Sequence, residues 1–125
     1  MPIRRTGPIV VAGFGAVGHK VLELLKDAGE TCVVIDQAAA PGVDVVGNVL
    51  EQATLDKAQV RESSAVILAL SDDGESLFAT AAVRDYAPEV PLIVRVLRSH
   101  NTTRLYRAGA DFAISVGQVA GQILA

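Results

Sequence analysis

The chain alternates between short apolar runs and longer segments in which apolar residues recur at helical spacing. The run Ile9–Ala12 is typical of a strand that is buried on both faces. After a glycine-rich turn, the apolar residues repeat with a helical period, at Val17, Val21, Leu24, Leu25 and Ala28. Gly29 stands where a helix commonly ends, and a second apolar run at residues 31–35 leads to Asp36. The pattern therefore predicts a strand, a helix and a second strand, in that order.

The same alternation continues to the end of the chain. Further apolar runs predict strands at residues 43–46, 65–70, 92–96 and 112–114. Helices are predicted at about residues 52–60, from the turn at 71–74 to Tyr86, and from a cap at Ser99 or Asn101 to Gly109. Along the second of these helices the apolar positions are Leu77, Phe78, Ala81 and Ala82. We expect residues 116–125 to begin a helix that the end of the chain cuts short.

The link between the second and third predicted strands is unusually short. Residues 37–42 are too few for the crossover helix that normally joins parallel strands. Pro41 and Gly42 favour a turn there. Either this link is a single turn or loop, or the third strand pairs at the edge of the sheet with little cover.

Alternating strands and helices predict an α/β fold of the Rossmann type. Right-handed crossovers produce a doubly wound, mostly parallel sheet of six strands in the order 3-2-1-4-5-6. A ligand crevice then lies where the carboxyl ends of strands one and four meet, with residues 13–18 opposite Leu70, Ser71 and Asp72. We expect residues 1–8 to be a lead-in tail and residues 9–125 to form a single domain.

Composition narrows the class of protein. Half of the 125 residues are hydrophobic, but no run approaches the roughly 18 apolar residues that a membrane-spanning helix needs. A formal charge of −3 gives no reason to expect a nucleic acid as partner. The single cysteine, Cys32, is predicted to be buried and inert, in a reducing compartment. Four arginines lie close together near the end of the chain: Arg95, Arg98, Arg104 and Arg107. They either form the solvated face of a helix, or one or two of them contact phosphates or a neighbouring subunit.

The glycine-rich turn between the first strand and helix has the pattern G-x-G-x-x-G. Gly13 allows a tight bend, Gly15 lets a pyrophosphate approach the backbone, and Gly18 lets the helix pack on the strand. The N–H groups at the start of the helix then favour a phosphate. Asp36 is placed to accept hydrogen bonds from ribose hydroxyls and to repel a 2′-phosphate. This favours NAD(H) or another unphosphorylated adenosine ribose over NADP, although a turn without a ligand also fits the bare motif.

Signs of catalytic chemistry are few. The two histidines, His19 and His100, belong to no metal-binding motif, and His19 on the first helix favours a surface role. Asp72 and Asp73 are adjacent carboxylates, but their place at a helix start favours capping over acid–base work. The six predicted strands extend to residue 114, so we do not expect these residues to include a second substrate domain. The sequence therefore favours a binding module over an enzyme.

Two longer stretches carry a family resemblance. VVGNVLEQATLDKAQVRESSAVILALSDDGES and LIVRVLRSHNTTRLYRAGADFAIS resemble the nucleotide-binding half of RCK or KTN domains, of the TrkA-N type, which regulate bacterial potassium channels and transporters. The similarity runs from Ile9 to about Leu124. It implies a six-stranded Rossmann-type domain that binds NAD(H), AMP, ADP or ATP as a gating signal. It also implies a homodimer, paired through the helix after strand six, or a ring at the cytoplasmic face of a membrane pore.

The resemblance also implies the site residues. The phosphate cradle would be Gly13, Phe14, Gly15, Ala16, Val17 and Gly18. The ribose would be held by Asp36, with Gln37 beside it, and the adenine bordered by Asn48 and Val49. The crevice would be walled by Leu70, Ser71 and Asp72, with Arg95 near the phosphates or the dimer interface.

This sequence departs from the family pattern at three places. Asn48 stands where the family often has Asp, and Ala16 where many members have an arginine that favours a triphosphate. The link at 37–42 is shortened, which opens the adenosine side. The first two departures favour NAD(H), AMP or ADP over ATP. Among the expected ligands NAD(H) is first, AMP or ADP is next and ATP is last. Two alternatives to a nucleotide-binding regulatory domain remain: a fragment of an NAD-dependent oxidoreductase, and a ligand-free dimerisation domain. We expect the chain to be either an excised piece of a longer protein or a subunit that acts on a separate membrane protein.

Overall fold

A parallel sheet of six strands forms the centre of the molecule. The structure, a computed structural model, describes residues 5–115. The strands are β1 (Ile9–Ala12), β2 (Cys32–Asp36), β3 (Val45–Val46), β4 (Ala65–Leu68), β5 (Leu92–Arg95) and β6 (Phe112–Ile114). They pair in the order β3-β2-β1-β4-β5-β6, with every pairing parallel. The predicted Rossmann-type fold and strand order are confirmed.

Helices cover both faces of this sheet. They are α1 (Ala16–Asp27), α2 (Gln52–Lys57), α3 (Asp73–Tyr86) and α4 (Thr102–Ala108), with short 3-10 turns at Val60–Glu62 and Ser99–Asn101. α1 packs on β1 and β2, whereas α3 packs on β4 and β5 and α4 packs on α3 and β6. The crossover through α1 runs from β1 to β2, whereas those through α3 and α4 run the opposite way across the sheet, from β4 to β5 and from β5 to β6. Because all crossovers are right-handed, α1 lies on one face and α3 and α4 lie on the other. The helix expected at 116–125 lies outside the described residues.

Several predicted helix details were wrong. α2 is shorter than predicted, because Gln59 adopts a left-handed conformation with φ 56° and ends it. On α1 the buried residues are Gly18 and Leu22, and Leu24 is 57% exposed. On α3 the large Phe78 is 69% exposed, the predicted Leu77 packs against the core, and the buried residues are Ser76, Ala79, Thr80 and Val83, of which only Val83 has a larger apolar side chain. Side-chain size therefore does not identify the face of α3 that packs on the sheet.

The short link between β2 and β3 contains no helix in the structure. β3 has only two residues and pairs at the edge of the sheet, where Val46 is 52% exposed. Just before it, the Asp44 carboxylate accepts a hydrogen bond from the Val34 N–H at 2.8 Å, and the Asp44 N–H donates to the Val34 carbonyl at 2.9 Å. Of the two alternatives stated for this link, both hold: the link is a loop, and β3 pairs at the edge of the sheet with little cover.

The structure adds detail to the expectations for Cys32 and for the amino-terminal tail. Cys32 is half-buried rather than buried, and burial raises the pKa of its thiol, which keeps it protonated. Residues 5–8 of the expected tail lie against the chain: the Arg5 guanidinium donates to the Ser63 carbonyl oxygen, and the Ser64 N–H donates to the Pro8 carbonyl oxygen. No helix within residues 5–115 is long and apolar enough to cross a bilayer.

Candidate functional site

The glycine turn leaves β1 in a conformation that side chains would obstruct. Gly13 has φ +98°, and a Cβ there would lie 2.6 Å from the Ala69 carbonyl oxygen on the neighbouring segment. At Gly18 a Cβ would overlap the carbonyl oxygen of Gly13 itself. Gly15, in contrast, has no atom within 4 Å of the place where its Cβ would stand. Gly13 and Gly18 are thus required by packing, whereas Gly15 leaves open space above the turn.

The amino terminus of α1 presents unpaired donors beside this turn. Gly15 is the N-cap and provides no side-chain cap, and the first turn contains no acidic residue. The N–H groups of a first helical turn have no acceptor within the helix, so they favour an anion in front of them. Ala16 and Val17 line the space into which this terminus opens.

Asp36, the last residue of β2, lies within hydrogen-bond distance of the turn. Its Oδ1 accepts from the Phe14 N–H at 3.1 Å, and its Oδ2 accepts from the Ala38 N–H at 3.0 Å. Each carboxylate oxygen has two lone pairs, so each retains one for a further donor such as a hydroxyl. The carboxylate is therefore held in place by the backbone on both sides and is still able to accept a ligand's hydrogen bonds.

These elements surround a cleft of about 560 Å³ at the carboxyl ends of the strands. The predicted site residues that line it are Gly13, Phe14, Gly15, Ala16, Val17, Asp36, Gln37, Val49, Leu70, Ser71 and Arg95. Five more residues line it that the sequence did not indicate: Ala12, Ile35, Gly47, Ala69 and Glu75. This volume falls within the usual range for small-molecule sites. The topology thus brings most of the predicted residues together in one place.

Three predicted residues are not among those that line the cleft. Gly18 is buried beneath the turn, where it allows close packing. The Asn48 side-chain oxygen accepts from the Leu50 N–H at 2.9 Å and so closes its own turn. Asp72 is the N-cap of α3, with its carboxylate accepting from the Gly74 N–H at 2.8 Å. Capping, the preferred interpretation of Asp72, agrees with this geometry.

Glu75 is the lining residue with the clearest chemical character that sequence reasoning missed. It lies in the first turn of α3, and Arg95 at the end of β5 lines the same cleft. A signal for it existed, because the predicted cap at residues 71–74 already placed the start of α3 beside the crevice. The Arg95 guanidinium donates to the Leu70 carbonyl oxygen at 3.4 Å. The three arginines that were grouped with Arg95 in the sequence are exposed, namely Arg98, Arg104 and Arg107.

Asp73 has a structural environment rather than a catalytic one. Burial would raise the pKa of its carboxyl, but hydrogen bonds from the Leu97 N–H, the Asn101 amide and the Arg98 N–H, with nearby His100, outweigh burial and lower the pKa. The carboxylate therefore joins the start of α3 to the segment after β5. An acid–base role would need a proton that this environment disfavours.

His19 supports the glycine turn from outside. Its Nδ1 lies 2.9 Å from the Gly15 carbonyl oxygen, and its ring stacks on the Phe14 ring with centroids 3.6 Å apart. Within residues 5–115, no group of three or more metal-ligating side chains comes together. His19 is exposed, in agreement with the surface role expected for it.

Comparison with known protein families identifies the family of this chain. Residues 9–116 match the TrkA-N domain. The chain belongs to the TrkA-N family. The resemblance seen in the sequence is thus confirmed over nearly its whole extent.

Two sequence relatives of this TrkA-N domain are longer proteins. Over 121 residues the chain is 27% identical to a protein of Methanothermus fervidus, covering 85% of this chain and 18% of that protein. Over 126 residues it is 24% identical to Potassium channel protein 1 of Methanocaldococcus jannaschii, covering 93% and 38% respectively. The chain therefore spans well under two thirds of either relative.

Solved structures of the protein GsuK have the same fold. GsuK bound to ADP superposes with a TM-score of 0.85 at 29% identity, over 97% of this chain and 34% of that one. The GsuK channel bound to NAD superposes with a TM-score of 0.86 at 28% identity, over 95% and 22%. The TrkA-N domain described here is thus related to a potassium channel protein and to the GsuK channel, which has been solved with ADP and with NAD.

Proposed function

We propose that this TrkA-N domain binds an adenine nucleotide in the cleft and that binding controls a potassium channel or transporter. The observation that carries the proposal is the hydrogen bond from the Phe14 N–H to the Asp36 carboxylate. It joins the residue suited to hold a ribose to the turn suited to hold phosphates. A nucleotide is a ligand with these two groups a few bonds apart. GsuK, with the same fold, has been solved with ADP and with NAD, which supports the assignment.

Within this proposal, NAD(H) is the preferred ligand, AMP or ADP is second and ATP is last. Asp36 repels a 2′-phosphate, which disfavours NADP. The charged side chains that line the cleft are two carboxylates, Asp36 and Glu75, and one guanidinium, Arg95. Such a set does not offset the charge of a triphosphate, and Ala16 supplies no further cation at the turn.

The domain is proposed to act as a regulatory module rather than as an enzyme. Among the described residues, those that line the cleft include no His, Tyr, Lys or Cys that would serve as a general acid beside a nicotinamide. This favours binding over the alternative of an oxidoreductase fragment. Steady oxidation of NADH with a carbonyl substrate would overturn this part of the proposal.

Control of a pore requires a partner and a second arrangement of the domains. We infer that the domain lies at the cytoplasmic face of a membrane and acts on a channel in the same longer chain or on a separate subunit, as a homodimer or ring. Phe112 and Ile114 are exposed on the edge strand β6, which shortly precedes in the sequence the segment that the resemblance assigns to pairing. Nucleotide binding shifts the assembly only if its affinity differs between two arrangements. Sedimentation velocity with and without NADH tests this pairing.

The first experiment is calorimetric titration of the nucleotide-stripped chain with NADH, NAD, AMP, ADP and ATP. We expect NADH to bind most tightly and Asp36→Ala to weaken binding of every ligand by about tenfold or more, because two ribose hydrogen bonds are lost. Asp27→Ala is the matched control, since Asp27 is an exposed carboxylate at the far end of α1. If no nucleotide binds, the ligand-free dimerisation domain replaces this proposal.

A further inference from the structure

The cleft has two chemically different sides because of the strand order. β2 and β3 lie on one side of β1, and β4 and β5 lie on the other. Asp36, Gln37 and Val49 therefore line the cleft on the β2–β3 side. Ser71, Glu75 and Arg95 line it on the β4–β5 side, with the glycine turn between the two groups.

This arrangement determines which part of a nucleotide meets which group. A ligand with its adenosine ribose on Asp36 and its first phosphate at the start of α1 must extend toward the β4–β5 side. In that placement AMP would end before it reaches that side, whereas NADH would place a second ribose there and ATP its terminal phosphates. The residues on the β4–β5 side consequently distinguish among nucleotides that the Asp36 side binds equally.

Glu75 is available on that side. Its side chain is exposed, and in the described part of the chain it takes part in no hydrogen bond or ion pair. Arg95 lines the same cleft without pairing with Glu75 and has a single hydrogen bond, to the Leu70 carbonyl oxygen at 3.4 Å. A carboxylate and a guanidinium that share a cleft but do not neutralise each other are both free to contact a ligand.

We propose that Glu75 makes the cleft selective for a dinucleotide over a nucleoside triphosphate, an inference that rests on the proposed nucleotide site. Its carboxylate only accepts hydrogen bonds, so it matches the two hydroxyl donors of a second ribose. Terminal phosphates offer only acceptors and negative charge, so Glu75 repels them. Arg95 attracts phosphates, and the balance between Glu75 and Arg95 sets the preference between the two ligand classes.

The test is calorimetric titration of the Glu75→Gln variant with NADH, ATP and AMP, against the unchanged chain. We expect the variant to bind NADH about 5- to 10-fold more weakly, because hydrogen bonds to a charged acceptor are stronger than those to an amide. It should bind ATP about 3- to 5-fold more tightly, because a negative charge is removed beside its phosphates. AMP affinity should change less than about 2-fold, since AMP does not reach the β4–β5 side.

Salt separates the two effects. The gain in ATP affinity should shrink in about 0.5 M KCl, where exposed charges are screened, and the loss in NADH affinity should persist more fully. Glu89→Gln is the matched control, since Glu89 is exposed beyond the end of α3 and away from the cleft. Thermal unfolding of both variants reports any change in stability.

The outcomes test the role of Glu75 separately from the nucleotide site itself. Equal changes in affinity for all three nucleotides, or no change for NADH and ATP, overturn the role of Glu75 while the nucleotide site stands. Opposite changes for NADH and ATP with AMP unaffected support it. Absence of nucleotide binding by the unchanged chain overturns the nucleotide site and, with it, the selectivity of Glu75.

Discussion

Gly18 packs directly against the carbonyl group of Gly13, five residues earlier in the same turn. A Cβ at Gly18 would overlap the Gly13 oxygen, and both atoms are fixed to backbone that cannot rotate away. Gly15 lies between them in the chain but has open space where a Cβ would be. The glycines of one motif are thus required for different reasons, and substitution separates packing from ligand approach.

The first prediction concerns packing at the turn. Gly18→Ala should lower the free energy of unfolding by about 2–3 kcal/mol, because the added methyl forces α1 away from β1. Urea denaturation followed by circular dichroism measures it. Gly15→Ala is the control and should change stability by less than about 1 kcal/mol, the scale of replacing a glycine N-cap by alanine. Equal losses for the two variants would contradict the packing argument.

The second prediction concerns ligand approach. Gly15→Ala should weaken NADH binding by about tenfold, because its methyl occupies the space above the turn where a pyrophosphate would contact the backbone. Calorimetric titration of the folded variant measures this change. The control is Ala28→Gly, a substitution at the opposite end of α1 from Gly15. The neighbouring Gly29 is unsuitable as a control, because its φ of +82° would strain an alanine. Undiminished NADH affinity in Gly15→Ala would show that phosphates do not lie against the turn.

The third prediction concerns the acid limit of stability. The folded-state pKa of Asp73 is lowered, so its carboxylate stabilises the fold above its unfolded pKa of about 3.9, and this contribution is lost as the pH falls through the folded pKa. Asp73→Asn should therefore be less stable than the unchanged chain near pH 7, by about 1–2 kcal/mol for hydrogen bonds to a charged group. Urea midpoints of the two proteins should converge below about pH 4. A constant difference from pH 7 to pH 3 would refute the assignment.

The fourth prediction concerns Arg84 on α3. Its guanidinium donates to the carbonyl oxygens of Gly109 and Val90, at 2.8–2.9 Å, and pairs with the Asp111 carboxylate at 2.9 Å. Arg84→Lys keeps the charge but loses the fork of donors, so we expect a loss of about 2–4 kcal/mol in unfolding free energy. Arg107→Lys, at an exposed position on α4, should be neutral. Similar urea midpoints for the two variants would show that charge alone suffices.

Periodicity predicted the strands well and the helix faces poorly. A strand buried on both faces appears in the sequence as an unbroken apolar run, so β1 has the predicted bounds. On α3 three of the four buried residues, Ser76, Ala79 and Thr80, are small or polar, and the largest apolar side chain, Phe78, is exposed. A pattern of hydrophobicity cannot reveal such a face, because close packing there depends on side-chain size and on the shape of the sheet.

The site was predicted where local backbone chemistry governs it. The glycine turn and Asp36 have local signatures, since a tight turn, a helix start and a strand end each impose residue types on the chain. Glu75 has only an indirect signal, the predicted cap at 71–74, because its role depends on α3 beginning beside a strand that is a neighbour of β1 only in the folded sheet. Asn48 shows the converse: its motif position suggested a ligand contact, yet its side chain bonds the nearby Leu50 N–H.

The sequence by itself determined the order of elements, the glycine turn and the acidic residue that follows β2. These depend on interactions between residues close along the chain, so the local pattern contains them. Only the tertiary structure decided which side chains meet across the cleft, because Asp36, Glu75 and Arg95 come from three separate segments. Parallel strand pairing brings those segments to one edge of the sheet, and the charge of the cleft is set by that assembly.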